Sequence, residues 1–155
     1  PFGFGWTFNY DVTLVEVTSS VNPQVIIQRG DGMKLVFHAN ADGSFSSPQG
    51  RFLILKKSAG VFSLTEKNSN IHRFDSNGRL ASISDRNNNQ LVFSYDSSGR
   101  LVKLTDASSK ELVFYYNANS KISKIVDPAN REFTYAYDVN GNLVNFTDPG
   151  ANKTE

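Results

Sequence analysis

The C-terminal half of the chain repeats itself every 21 residues, and no other feature limits the available folds so tightly. At that shift Phe74-Asp75 falls over Tyr95-Asp96, Tyr116-Asn117 and Tyr137-Asp138. The same shift superposes Gly78, Gly99 and Gly141, then Leu80, Leu101, Ile122 and Leu143. Two more columns follow, Ile83, Leu104, Ile125 and Phe146, and Asp85, Asp106, Asp127 and Asp148. Ser120 interrupts the glycine column and Asn117 the acid column, which makes the third unit the least regular.

Each unit translates into strand, turn and strand. From Leu91 to Tyr95 the residues alternate so that Leu91, Phe93 and Tyr95 share one face, and Phe133, Tyr135 and Tyr137 do the same two units later. One face is therefore an aromatic ladder, with Phe93, Tyr95, Leu101, Phe114 and Tyr135 expected in the core. The Asp-x-x-Gly segments pair an Asx-capping residue with a glycine at positive φ, predicting tight turns at Ser76-Asn77, Ser97-Ser98, Asn119-Ser120 and Asn140-Gly141. A second strand, about Arg100 to Thr105, and a looser loop beginning at Asp106 or Asp127-Pro128 complete one hairpin with two reversals. A lone hairpin cannot bury such a face in water, so the units must cover one another. The expected fold is all-β, antiparallel hairpin repeats stacked into a long curved or spiralling sheet.

Composition agrees. Asn, Ser and Gly make 45 of 155 residues without any low-complexity block, which predicts many turns and short strands. The runs between them are β-branched and aromatic, and no window carries helical spacing over three turns. Ahead of the repeats, Val25 to Gln28, Met33 to Phe37, Phe52 to Lys56 and Val61 to Thr65 read as four less regular strands. Turns at Gly30-Asp31-Gly32, Ala41-Asp42-Gly43 and Pro48-Gln49-Gly50 join them, and all four are expected to start the same sheet. The organisation is then an irregular β segment over 1–70, four repeats over 71–150 and a polar tail or linker over 151–155.

A net charge of +1 supplies no one-signed field, so neither nucleic acid nor membrane insertion is expected, and no apolar run reaches the roughly 20 residues of a helical span. The absence of cysteine removes disulfides, thiolate catalysis and Cys-based metal sites. The chain opens at Pro1 without an initiator methionine, as a processed product or an excised segment would.

Tyr95-Asp96-Ser97-Ser98-Gly99-Arg100-Leu101 followed by Leu104-Thr105-Asp106 closely resembles the Tyr-Asp-x-x-Gly-Arg-Leu…Thr-Asp-Pro pattern of the Rhs, or YD-repeat, family, and Phe74-Asp75-Ser76-Asn77-Gly78-Arg79-Leu80 is similar with Phe for Tyr. Gly5-Trp6-Thr7-Phe8-Asn9-Tyr10-Asp11 resembles the segment just ahead of the repeats in bacterial members. The resemblance implies a large secreted or surface protein whose repeats spiral into a hollow β-shell, enclosing a C-terminal effector in bacterial toxins and forming an extracellular barrel in the animal teneurins. Nothing in the chain matches the family's self-cleavage region or a toxin domain.

Candidate sites each have a plainer reading. Arg29-Gly30-Asp31 spells an adhesion tripeptide but sits where a hairpin needs a turn. Asp85, Asn87, Asn89 and Asp96 match part of a calcium-loop spacing, yet Gln90 replaces the required glycine and a strand follows, so an Asn-rich connection is expected and no metal site. The column from Asp85 to Asp148 recurs at every unit, which fits turn capping and not a catalytic pair needing two different environments. His38 closes a strand, and His72 stands in the column of Phe93, Phe114 and Tyr135 as a ring-shaped filler. Phe2, Phe4, Trp6, Phe8 and Tyr10 suit an end plug better than a sugar-stacking platform. Of the two sequons, Asn145-Phe146-Thr147 lies in an expected strand and Asn152-Lys153-Thr154 beyond it.

Every recurring residue thus has a packing or turn role, which predicts a non-catalytic structural segment without cofactor, secreted or at the cell surface. Its expected partners are further repeats of the same chain, or identical copies joined head to tail into a filament through the terminal aromatics and Phe146. A glycan or receptor binding module is the alternative.

Overall fold

The computed structural model describes residues 8–19 and 21–154, and every regular element among them is a strand. Phe2, Phe4 and Trp6 lie outside the described residues. Asn9 to Val92 form one compact unit, and Phe8 with the chain from Phe93 onward forms the other.

The first unit opens with a four-stranded antiparallel sheet of β1 (Thr13–Val17), β2 (Gln24–Gln28), β3 (Lys34–Ala39) and β4 (Phe45–Ser46). A second sheet begins with β5 (Ile54–Ser58), β6 (Val61–Thr65), β7 (Ile71–Phe74) and β8 (Leu80–Ser84) and reaches β9 (Gln90–Tyr95). It continues through β10 (Leu101–Thr105), β11 (Glu111–Tyr116), β12 (Ile122–Val126), β13 (Glu132–Tyr137), β14 (Leu143–Thr147) and β15 (Lys153–Thr154). Each of its eleven strands neighbours its sequence neighbours, so the sheet is an open antiparallel meander of hairpins. The all-β hairpin array expected from the 21-residue columns is the observed architecture.

Two expectations are corrected here. The four early strands do not share one sheet: β2 and β3 belong to the small sheet, β5 and β6 to the long one. The break follows from β4, which pairs with β3 through only two residues before Pro48, which has no N–H to extend the ladder. Arg51 N–H then closes a turn onto the Pro48 carbonyl, and β5 re-enters paired with β6. The turns of the third and fourth repeats sit one residue earlier than expected, at Ala118-Asn119 and Val139-Asn140. The cause is that Ser120 and Gly141 take the fourth position, donating to the carbonyls of Asn117 and Asp138.

Burial follows the period of two. Val25, Ile27, Leu35 and Phe37 of the small sheet and Leu55, Phe62, Leu64, Phe74 and Leu80 of the long one are at most 7% exposed. Within this unit the Phe45 ring meets the Phe62 ring edge-on at 5.9 Å. β1 docks where the repeats begin: Leu14 N–H donates to the Gly78 carbonyl at 2.7 Å, and Thr13 bridges to Arg79. In the other unit Phe93, Leu104, Phe114, Ile122 and Ile125 form the core, and Phe8 packs edge-on against Phe114 at 5.7 Å. Each such side chain contributes about 1.5–3 kcal/mol on burial.

Candidate functional site

The acid columns build one device repeated along the sheet. Asp75, Asp85, Asp96, Asp106, Asn117, Asp127, Asp138 and Asp148 each open a reversal of five residues. In all eight, Oδ1 accepts the backbone N–H groups two and four residues later, at 2.8–3.0 Å. The first residue's carbonyl takes the N–H of the fourth, and its own N–H donates to the carbonyl of the fifth. The fourth residue has positive φ: Gly78, Asn88, Gly99, Ser109, Ser120, Asn130, Gly141 and Ala151. This corrects the looser loop expected at Asp106 and Asp127, because the second reversal of each unit is the same turn as the first. Asn88, Ser109, Asn130 and Ala151 accept the left-handed conformation because the doubly accepting carboxylate holds the loop closed around them.

The second carboxylate oxygen selects the fifth residue. Asp75, Asp96 and Asp127 each receive Nε and Nη2 of Arg79, Arg100 and Arg131, with the Nε contacts at 2.7–2.8 Å. Asp85, Asp138 and Asp148 receive the amide of Asn89, Asn142 and Asn152 at 2.8–3.0 Å. Partial burial alone would raise the Asp75 carboxyl, but N–H donors from Arg79 and Asn77 and the guanidinium outweigh it and hold the acid below its usual range. Asp96, bonded first by the Arg100 N–H, and Asp127, bonded first by the Arg131 side chain, are lowered in the same way.

The aromatic of the Tyr-Asp pair ties one repeat to the one before it. Tyr116 Oη donates to the Leu101 carbonyl and Tyr137 Oη to the Ile122 carbonyl, both at 2.7 Å across 15 residues. Burial and the neighbouring Tyr135 push the Tyr137 phenol up to about 12, so it remains the donor. The Arg100 guanidinium, fixed by Asp96, lies 4.7 Å from the centre of the Tyr116 ring and adds a cation–π contact. Opposite the first strand of three of the hairpins the ladder slips by one residue, at Arg73/Phe74, Tyr115/Tyr116 and Ala136/Tyr137. The slip leaves Ala81, Ser123 and Val144 as the extra residue of the second strand, and the reversals fall alternately 10 and 11 residues apart, summing to 21.

The remaining sites of the columns divide by depth. Phe74, Leu80, Phe93 and Phe114 are buried, whereas Tyr95, Tyr116, Tyr137, Leu101, Leu143, Tyr135 and Phe146 are half-buried. For Tyr95, Leu101 and Tyr135 this corrects the expectation of full burial: Tyr95 and Leu101 flank a reversal, and Tyr135 stands near the end of the sheet. Gly78 is buried and has φ +75, and a Cβ there would stand 2.0 Å from the Leu14 carbonyl oxygen, so close approach as well as conformation demands glycine. Arg29-Gly30-Asp31 forms the expected turn, with Gly32 N–H on the Arg29 carbonyl and Met33 N–H on Asp31 Oδ1. His38 lies exposed beside Asn22, Asn145 sits half-buried opposite Ala136, and Asn152 is engaged by Asp148.

One cluster escaped sequence reasoning. Glu66 opens a reversal of the same backbone pattern, but its side chain does not cap it; Asn68 Oδ1 takes the Asn70 N–H instead. Glu66 Oε1 faces Arg29 Nη1 at 3.5 Å and His72 Nε2 at 3.6 Å. Desolvation lowers His72, against the pull of Glu66, so the imidazole is neutral near neutral pH. These three side chains line a cavity of about 300 Å³ with Asn9, Tyr10, Asp31 and an apolar floor that includes Ile27, Leu35 and Leu64. The available signal was that His72 breaks the column of Phe93, Phe114 and Tyr135; Glu66 stands outside the columns.

Comparison with known proteins agrees with this construction. The family model described as Teneurin YD-shell matches residues 68–154. No curated protein matches the chain. The match covers the stretch in which turn, arginine clamp and tyrosine tie recur, and the chain belongs to the teneurin YD-shell family.

Proposed function

We propose that the chain is a non-catalytic wall segment of a secreted or surface YD-repeat protein, its hairpins serving as shell or scaffold. The observation that carries this is the consumption of the columns: each turn carboxylate is spent on backbone N–H groups, and Tyr116 and Tyr137 on main-chain carbonyls of the preceding unit. A side chain whose lone pairs and protons are committed to holding the main chain is unsuited to proton transfer. Limited proteolysis of the folded chain tests it. A wall must survive outside a cell, so the region 71–150 should persist as one resistant fragment, because its reversals are bonded at every turn. Cleavage inside those reversals at the rate of an unfolded peptide would overturn the reading.

The C-terminal end of the sheet favours a second statement about partners. β15 contributes only two exposed residues, and Leu143, Tyr135 and Phe146 beneath it stay half-buried. Further YD units or an identical copy would extend the ladder there. Light scattering at rising concentration reads the second case directly, and a monomer throughout would exclude it.

A further inference from the structure

Three residues that break the repeat logic meet at one place. His72 stands where the ladder otherwise carries Phe93, Phe114 and Tyr135; Glu66 opens a reversal where the repeats carry Asp or Asn; and Arg29 comes from the small sheet. Their contacts of 3.5 and 3.6 Å are longer than charge-assisted hydrogen bonds, and a guanidinium has five N–H donors where one contact uses one. Apolar residues in their place would stabilise the fold at least as well, so the cluster is a poor way to build core. The cavity it lines, about 300 Å³, stands at the small end of ligand sites and has the usual make-up, an apolar floor with a few polar groups at its rim.

The chemistry of the lining selects a ligand class. Two carboxylates, Asp31 and Glu66, face one guanidinium and a neutral imidazole, so an anionic ligand meets net repulsion. Donors on Arg29 and Asn9 share the lining with acceptors on Glu66, Asp31 and His72, which suits vicinal hydroxyls that each give and take a hydrogen bond. The half-buried Ile83, with the edges of Ile27, Leu35 and Leu64, gives the lining an apolar part for the C–H face of a ring. We propose that the cavity lined by Arg29, Glu66, His72 and Tyr10 binds one neutral sugar residue, such as the end unit of a glycan.

This goes beyond the wall function and stands apart from it, since none of these residues belongs to the turn columns of the repeats. The test is an NMR titration of the intact chain with methyl glycosides of a neutral hexose series, a uronic acid and an amino sugar. A neutral glycoside should give saturable shifts at the Leu35, Leu64 and Ile83 methyls and the His72 ring, with Kd of about 1 mM or tighter. Glu66→Gln should weaken it at least tenfold with the fold intact, because that side chain caps nothing, and Ile83→Phe should abolish it by filling the space. No saturable shift with any neutral glycoside, tighter binding of the uronic acid, or shifts indifferent to both variants would overturn the proposal.

Discussion

A carboxylate at the head of a reversal does what no apolar residue can: it gathers two backbone N–H groups that the bent chain would otherwise leave to water, and it fixes the fifth side chain. Asn117 shows that the first task needs only an oxygen, since its amide accepts the Asn119 and Lys121 N–H groups at 3.0 Å. Asp75→Ala should therefore cost about 1–2 kcal/mol and Asp75→Asn well under half of that, read from denaturant melts, the difference between them being the backbone bonds. The sign with pH follows. The folded Asp75 carboxyl titrates below its ordinary 3.8, so its contribution is present above that pH and disappears as pH falls through the folded value. Glycine has a separate logic. Gly43→Ala, at φ +79 with open space around it, should cost about 1–2 kcal/mol for the left-handed conformation alone. Gly78→Ala must also displace the Leu14 carbonyl and should lose at least about 2 kcal/mol more.

At the scale of the element, much was legible. The alternation of Leu91, Phe93 and Tyr95 and the period of 21 place the repeat strands because the two periodicities agree on which face is apolar. What stayed hidden has physical causes. The second reversal of each unit lacks a glycine at its fourth position, so its identity with the first shows only once Asn88, Ser109, Asn130 and Ala151 are seen at positive φ. The division into two sheets depends on how far β4 pairs before Pro48, a matter of two residues. The Arg29, Glu66 and His72 cluster joins residues 37 and 43 positions apart, a tertiary fact that no local pattern carries. A column of rings predicts ladder packing and does not say where a hydroxyl goes, so the tyrosine tie shows only in the structure. It gives an element-scale prediction. Tyr137 is raised to about 12 from an ordinary 10, so its contribution is complete below pH 10 and is lost as pH rises through the folded value. Tyr137→Phe should cost about 1 kcal/mol at neutral pH and flatten that alkaline limb, as monitored by circular dichroism at pH 9 to about 12. A variant with the parent's alkaline limb would place the lost stability elsewhere.

On the scale of the whole molecule, the long sheet is a succession of strands each paired with its sequence neighbours, so its length should be adjustable in whole repeat units. Charge supports the same reading: Lys103–Glu111 and Lys124–Glu132, each at 2.8 Å, repeat one unit apart on neighbouring strands and keep the sheet's second face solvated. The claim that the columns are the unit of construction has a direct test in two deletions. Removing residues 96–116 joins Tyr95 to Asn117 and leaves every column in phase, with Ile122 and Ile125 taking the places of Leu101 and Leu104. Removing 97–116 is one residue shorter as a deletion and leaves Asp96 as an extra residue in the turn, which slips the register. Thermal melts of both should show a cooperative β transition for the first, at a somewhat lower midpoint than the parent, and its loss for the second. Equal damage from the two deletions, or failure of the in-phase variant to fold, would contradict the account of the chain as a modular wall.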